Sequence, residues 1–167
     1  MQYVNLPCTS VKVSRMCLGT MMFGDQVNEA DSLAMIDYAY DQGITFFDTA
    51  ASYLKGAGEK ILGKGLKGKR EKVIVSTKIR NPVTSDMNDW GLNRRHIIDC
   101  INNSLKRLDT DYVDVVYMHA PDYETEMEET LDAFTALIRA GKMLYLGVSN
   151  FAAWQIADII ALCDKYG

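Results

Sequence analysis

Apolar residues recur along this chain in two alternating rhythms. From Ala30 to Gln42 they stand at Leu33, Ile36 and Tyr40, the spacing of one helix face, and Gly43 suits the helix exit. Ile44–Phe47 then reads as a short buried strand, residues 57–67 as a helix, and KVIVST as a second buried strand. Ile97, Ile101, Leu105 and Leu108 mark a further helix with Asn93 as its N-cap, followed by the strand YVDVVYMH. Thr125 and Glu128 fit a capping box ahead of a helix carrying Met127, Leu131, Phe134 and Ile138, which Gly141 ends. MLYLGVSN is the next strand, and Asn150 is placed to cap a last helix bearing Ile156, Ile159, Ile160 and Cys163.

At the start of the chain, QYVNL and VKVS flank a turn and predict a β-hairpin over residues 1–14, and MCLGT adds a short strand broken by Gly19. Residues 15–167 then form five strand–helix units with no linker between them. Such alternation means parallel strands joined by helical crossovers, an α/β fold, and one domain over 1–167. VIVS and VVYM are apolar on both faces, as strands covered on both sides are.

Composition narrows the function classes. With 167 residues and 48% apolar content the chain can bury a core. Net charge is −4, no basic run is present, and the acidic stretch Glu124–Glu129 is interrupted, which argues against nucleic acid or a membrane as partner. MQYVNLPCTS lacks the basic and apolar regions of a signal peptide, and no apolar stretch is long enough to span a bilayer. Four cysteines are scattered without a CxxC pair, two of them in apolar surroundings, which points to a reducing, cytoplasmic context. Two histidines alone make a metal site unexpected.

The candidate chemistry lies where the strands end. Asp48 follows FF, Lys78 follows VIVST, His119 follows VVYM, and Ser149 and Asn150 follow LGV; Tyr53 comes five residues after Asp48. Adjacent parallel strands are about 4.8 Å apart, so these groups share one rim, the rim on which β/α barrels build active sites. A lysine beside a carboxylate stays charged, and an ammonium beside a phenol favours its phenolate. Asp48, Tyr53, Lys78 and His119 are thus the parts that polarise and protonate a carbonyl, with a nicotinamide cofactor as the missing hydride source. Singly, each has a plainer reading: a turn cap, a packed phenol, a solvated lysine, a core histidine.

LGTMMFG, FFDTAASY, the lysine of VIVSTK, YMHAP and LGVSNF together resemble the aldo-keto reductases, in that family's order and over nearly the whole chain. The resemblance implies a (β/α)8 TIM-type barrel, here with five of its eight units, and a hairpin at the barrel's bottom. It implies a catalytic tetrad of Asp48, Tyr53, Lys78 and His119, with Tyr53 and His119 also touching a small-molecule carbonyl substrate. Gly19, Thr20, Met21, Asp48, Ser149 and Asn150 would then bind the cofactor, NADPH with NADH possible. Two departures stand out. Leu54 occupies a position where the family often has glycine, and the chain is shorter than the roughly 250 residues of such barrels. A C-terminally incomplete barrel predicts weak cofactor binding by this chain alone, with self-association or pairing with a missing C-terminal half. Relatives of this kind also include cofactor-binding regulatory subunits, and an inactive fragment is a further alternative.

GEKILGKG at residues 58–65 imitates a phosphate-binding loop, but Gly65 stands where Ser or Thr should follow the GK, and Ile61, Leu62 and Leu66 read as a helix. Met21, Met22 and Phe23 suit either a pocket wall or core. Trp90 lies in the loop after the third strand, as a wall of a pocket or a surface residue.

Overall fold

Side chains on successive strand positions alternate between a face sealed under helices and a face left partly open, and this alternation organises the molecule. The structure is a computed structural model describing residues 1–166. β1 (Tyr3–Asn5) and β2 (Lys12–Ser14) pair antiparallel, as the hairpin pattern predicts. β3 (Cys17–Gly19), β4 (Phe46–Asp48), β5 (Ile74–Ile79), β6 (Val113–Met118) and β7 (Met143–Val148) form one parallel sheet in chain order. The helices are α1 (Glu29–Asp41), α2 (Ala57–Gly65), α3 (Arg94–Leu108), α4 (Met127–Arg139) and α5 (Ala153–Tyr166). Strand order that follows chain order, each crossover helical, is the architecture of an incomplete β/α barrel.

The core lies between the helices and the sheet face bearing Phe47, Val75, Ile79, Val116 and Met118, all buried, against Ile36, Leu62, Ile97, Ile101 and Phe134. On the opposite face, cross-strand register aligns Phe46 with Ile74, Asp48 with Ser76, Lys78 with Tyr117, and Tyr117 with Gly147. Gly147 is needed there, because a Cβ would fall 2.5 Å from the Tyr117 ring. β4 begins two residues later than the apolar run suggests. Thr45 is occupied with Ser14: its hydroxyl accepts from the Ser14 N–H (3.0 Å), and its own N–H donates to Ser14 Oγ (2.9 Å). That exchange, with the Tyr3 hydroxyl donating to Gly43 O (3.1 Å), docks the hairpin at the end where β4 enters the sheet.

Local signals decide the helix ends. Asn93 caps α3, its Oδ1 accepting from His96 N–H (2.9 Å), and Gly43 and Gly141 leave α1 and α4 with positive φ. Two expected caps are not formed. α4 begins after Glu126, which makes no side-chain cap bond, and the Thr125 hydroxyl donates instead to Asp122 (2.8 Å). Asp122 also accepts from the Leu92 (2.7 Å) and Glu124 (3.0 Å) N–H groups, so a carboxylate already organising the loop captures the threonine. Asn150 does not cap α5 either; its amide is spent on His119 O and Ser149 Oγ, and Gln155 reaches back to accept from Ala152 N–H (2.8 Å). On α5 only Ile159 is buried among the four expected core residues described; Ile160 is 55% exposed and Cys163 is exposed. Of the cysteines, Cys100 is buried, Cys8, Cys17 and Cys163 are exposed, and all four are free.

Residues 57–65 are helical, which removes the phosphate-loop imitation. Gly63 and Gly65 are there because α2 crosses close to its neighbours: a Cβ on Gly63 would lie 2.5 Å from Leu108 O, and one on Gly65 2.6 Å from Ile36 Cδ1. Among the described residues no helix is long and apolar enough to cross a membrane. Also among them, no group of three or more His, Cys, Asp or Glu could hold a metal ion.

Candidate active site

Three strand ends each deliver an ionisable group, and these meet Tyr53 from the turn that follows β4. Asp48, last in β4, accepts from Lys78 Nζ through Oδ2 and from Ser76 Oγ through Oδ1 (2.6 Å). Lys78 Nζ also donates to Thr49 O (2.8 Å), so the ammonium is fixed by β4 and the residue that follows it. The same nitrogen lies 5.1 Å from the centre of the Tyr53 ring, a cation–π contact. Tyr53 meets His119 edge to face, ring centres 6.1 Å apart at 77°. Carboxylate, ammonium, phenol and imidazole therefore form one contiguous chain of contacts.

Tyr53 is presented by an unusual turn. Residues Tyr53–Gly56 make one tight turn in which Leu54 (φ 46°), Lys55 (φ 53°) and Gly56 (φ 87°) are all left-handed. Leu54 thus keeps a backbone suited to glycine without being one, at the position where the family resemblance expects it. His119 follows β6, anchored by its N–H to Ile79 O (2.9 Å). Its imidazole titrates below the usual histidine range: burial, then the charges of Lys78 and Arg80, outweigh the opposing pull of Asp48. The neutral ring keeps a buried Nδ1 without a hydrogen-bond partner among the described residues.

An open depression of about 460 Å³ lies beside the ion pair, lined by Cys17, Gly19, Phe46, Asp48, Lys78, Tyr117, Val148 and Ser149. Gly19 pairs with Asp48, and a Cβ built on it would meet nothing within 4 Å, so this wall is open. Thr20 is buried, its N–H donating to Asp48 O (3.0 Å), its hydroxyl without a partner among the described residues. Met21 (56% exposed) and Met22 are at the surface, whereas Phe23 (2%) belongs to the core. Asn150 stands at φ 62° and ties the β7 end to the β6 end through His119 O (2.7 Å).

Ser76, Cys17 and Tyr117 also face this depression or its carboxylate, and the sequence reading passes over them. Their signal is the period of two: Ser76 shares the Lys78 face, and Tyr117 the His119 face. Trp90 is partly exposed, with the Arg80 guanidinium 4.1 Å from its ring centre. Its loop is pinned by Asp89, which accepts from Val83 N–H (2.9 Å) and stands 3.2 Å from Nδ1 of the buried His96. Burial lowers His96 below the usual range despite the nearby Asp89 and Asp99 charges.

Comparison with known proteins matches residues 15–166 to the Aldo/keto reductase family. The chain belongs to that family. It is 41% identical to the Bacillus subtilis (strain 168) protein "Uncharacterized oxidoreductase YrpG", over 99% of this chain and 54% of that protein. It is 38% identical to the "Probable voltage-gated potassium channel subunit beta" of Oryza sativa subsp. japonica, over 99% of this chain and 51% of that one. In three dimensions it resembles the aldo-keto reductase AKR11C1 from Bacillus halodurans (holo form), with a TM-score of 0.88 and 29% identity over 96% of this chain and 54% of that chain. The chain thus spans about half the length of the relatives it matches.

Proposed function

We propose that the chain carries the catalytic half of an NAD(P)H-dependent carbonyl reductase acting on an aldehyde or ketone. The observation that carries this reading is the contact series from Asp48 through Lys78 and Tyr53 to His119 beside one open depression. In it, Tyr53 gives its phenolic proton to the carbonyl oxygen. Lys78, held by Asp48, stabilises the negative charge this leaves on the tyrosine oxygen, and Ser76 keeps Asp48 in place. The neutral His119 donates a hydrogen bond to the same carbonyl oxygen and so orients the substrate. A bound nicotinamide, when present, supplies the hydride.

The residues at the rim suit that cofactor. The wall at Gly19 is open enough for a flat ring, and the Ser149 hydroxyl and the Asn150 amide oxygen are placed to meet a carboxamide. Thr20 and Met21 lie beside that wall. NADPH is the expected form, with NADH as the alternative, and four free cysteines agree with a reducing cytoplasm.

The test is Tyr53→Phe, assayed as oxidation of reduced cofactor against a panel of aldehydes and ketones, with this chain and within any longer protein that contains it. Loss of a general acid lowers turnover by about 10²–10⁴-fold. Turnover within a few-fold of the unsubstituted protein removes Tyr53 as the proton donor. The rice relative's name supports a second reading, a cofactor-binding regulatory subunit. Cofactor binding without turnover of any carbonyl in the panel would favour it.

A further inference from the structure

Behind the sheet, on the side away from the depression, lies a second ion pair. Glu59, in the first turn of α2, is 0% exposed. Its Oε1 accepts from the Thr77 hydroxyl (2.6 Å) and its Oε2 from Arg107 Nε (2.6 Å). Arg107, near the end of α3, donates also to Ser104 Oγ (3.1 Å). Its side chain lies across the Tyr53–Gly56 turn: a Cβ on Gly56 would fall 2.5 Å from Arg107 Cδ and 2.6 Å from Nε.

We propose that Glu59 and Arg107 are positioning residues that hold Tyr53 against Lys78 from outside the barrel; this rests on the reading of Tyr53 as proton donor. Two independent features converge on that role. The turn presenting Tyr53 has three consecutive left-handed residues, a conformation that persists only where its surroundings enforce it. Arg107 covers its closing glycine and leaves no room for a side chain there. Glu59 lies in the first turn of the helix that the turn leads into, and its hydroxyl partner, Thr77, is the residue before Lys78 on β5. The carboxylate therefore ties the element carrying the phenol to the strand carrying the ammonium. A slip of α2 along β5 would change the spacing between Tyr53 and Lys78 directly. Buried ion pairs are often replaceable by apolar side chains without loss of stability, so packing alone gives little reason for a charged pair here.

The experiment uses Thr77→Val, which removes the hydroxyl and keeps the shape, Thr77→Ser, which restores it, and Glu59→Gln. Folding is checked by thermal unfolding. The protein is labelled with 3-fluorotyrosine and read by ¹⁹F NMR, the Tyr53 resonance being assigned by its loss in Tyr53→Phe and Tyr145 on β7 serving as internal control. Expected are a displaced Tyr53 resonance in Thr77→Val and Glu59→Gln, an unmoved Tyr145 resonance, and restoration in Thr77→Ser. Turnover should follow, with kcat lower by about 10- to 100-fold and KM within about twofold, as misplacement of a reacting group predicts. A folded Thr77→Val whose Tyr53 resonance and kcat match the unsubstituted protein overturns the proposal, whatever Glu59→Gln does. If the resonance moves while the unsubstituted protein turns over no carbonyl, the positioning role stands and the proposed reaction falls.

Discussion

Gly63→Ala tests the closest approach between two helices. Alanine is the better helix former by about 1 kcal/mol, so a loosely packed α2 would gain from it. Here the added Cβ would meet Leu108 O at 2.5 Å, Leu108 C at 2.7 Å and Leu108 Cα at 2.9 Å. These are backbone atoms, at the last residue of α3, and no rotamer change moves them. Relief requires α2 and α3 to part by roughly 1 Å, loosening the packing of Ile61 and Leu62 in the core that also holds Ile101 and Leu105. Overpacking of this kind costs about 1–3 kcal/mol, and a backbone clash belongs at the upper end. After subtracting the propensity gain, a net loss of about 1–2 kcal/mol remains. For a chain of this size that lowers Tm by about 2–8 °C. In urea, with a slope of about 2 kcal/mol/M, the midpoint falls by about 0.5–1 M at unchanged slope. Gly58→Ala in the same helix is the control, because its Cβ would find only ordinary contacts, the nearest 3.4 Å from Thr49 Oγ1. It should match or slightly exceed the unsubstituted protein. Gly63→Ala at or above the unsubstituted midpoint would refute the reasoning, since propensity would then have outweighed the clash.

Two further outcomes follow from single groups. His96 and His119, the chain's only histidines, both titrate below the ordinary 6.5 in the folded state. The unfolded chain therefore binds their protons first, so their contribution is present above about pH 6.5 and is lost as pH falls through the folded values. Tm should drop between about pH 7 and pH 5, and His96→Gln should flatten that slope; an unchanged slope rules His96 out as a contributor. Asn93→Ala removes the α3 cap and should cost about 0.5–2 kcal/mol in denaturant unfolding, with a value near zero showing that solvent replaces the cap.

The barrel order was legible because the apolar periods of two and of three to four alternate without interruption, and each change of period marks a real element. The shared rim was legible for a related reason: a residue at the end of a parallel strand has its neighbours dictated by register, so the nearness of Asp48, Lys78 and His119 needed no long-range information. Tyr53 is different, since its place depends on the left-handed backbone of Leu54 and Lys55, which nothing in their residue types announces. The caps of α4 and α5 were misread because capping is a competition. Thr125 and Asn150 have the right chemistry for the job, but Asp122, three residues before the threonine, and His119 O, 31 residues before the asparagine, claim them first. Ile160 and Cys163 fit a helical apolar stripe, yet a stripe says which residues share a face and not whether anything covers it. Nothing within GEKILGKG marks Glu59 as buried, because its partner Arg107 lies 48 residues later.

The two-sided character of the sheet has a consequence for how this molecule can change. On β5, Val75, Thr77 and Ile79 are locked beneath helices, while Ile74 and Lys78 border open space. Phe46, Tyr117 and Tyr145 share that open side. The open face and the core are thus written on interleaved letters of the same strands. A combinatorial library confined to positions 46 and 117, which line the hollow, would reshape its walls while the helix-clad layer stayed as it is.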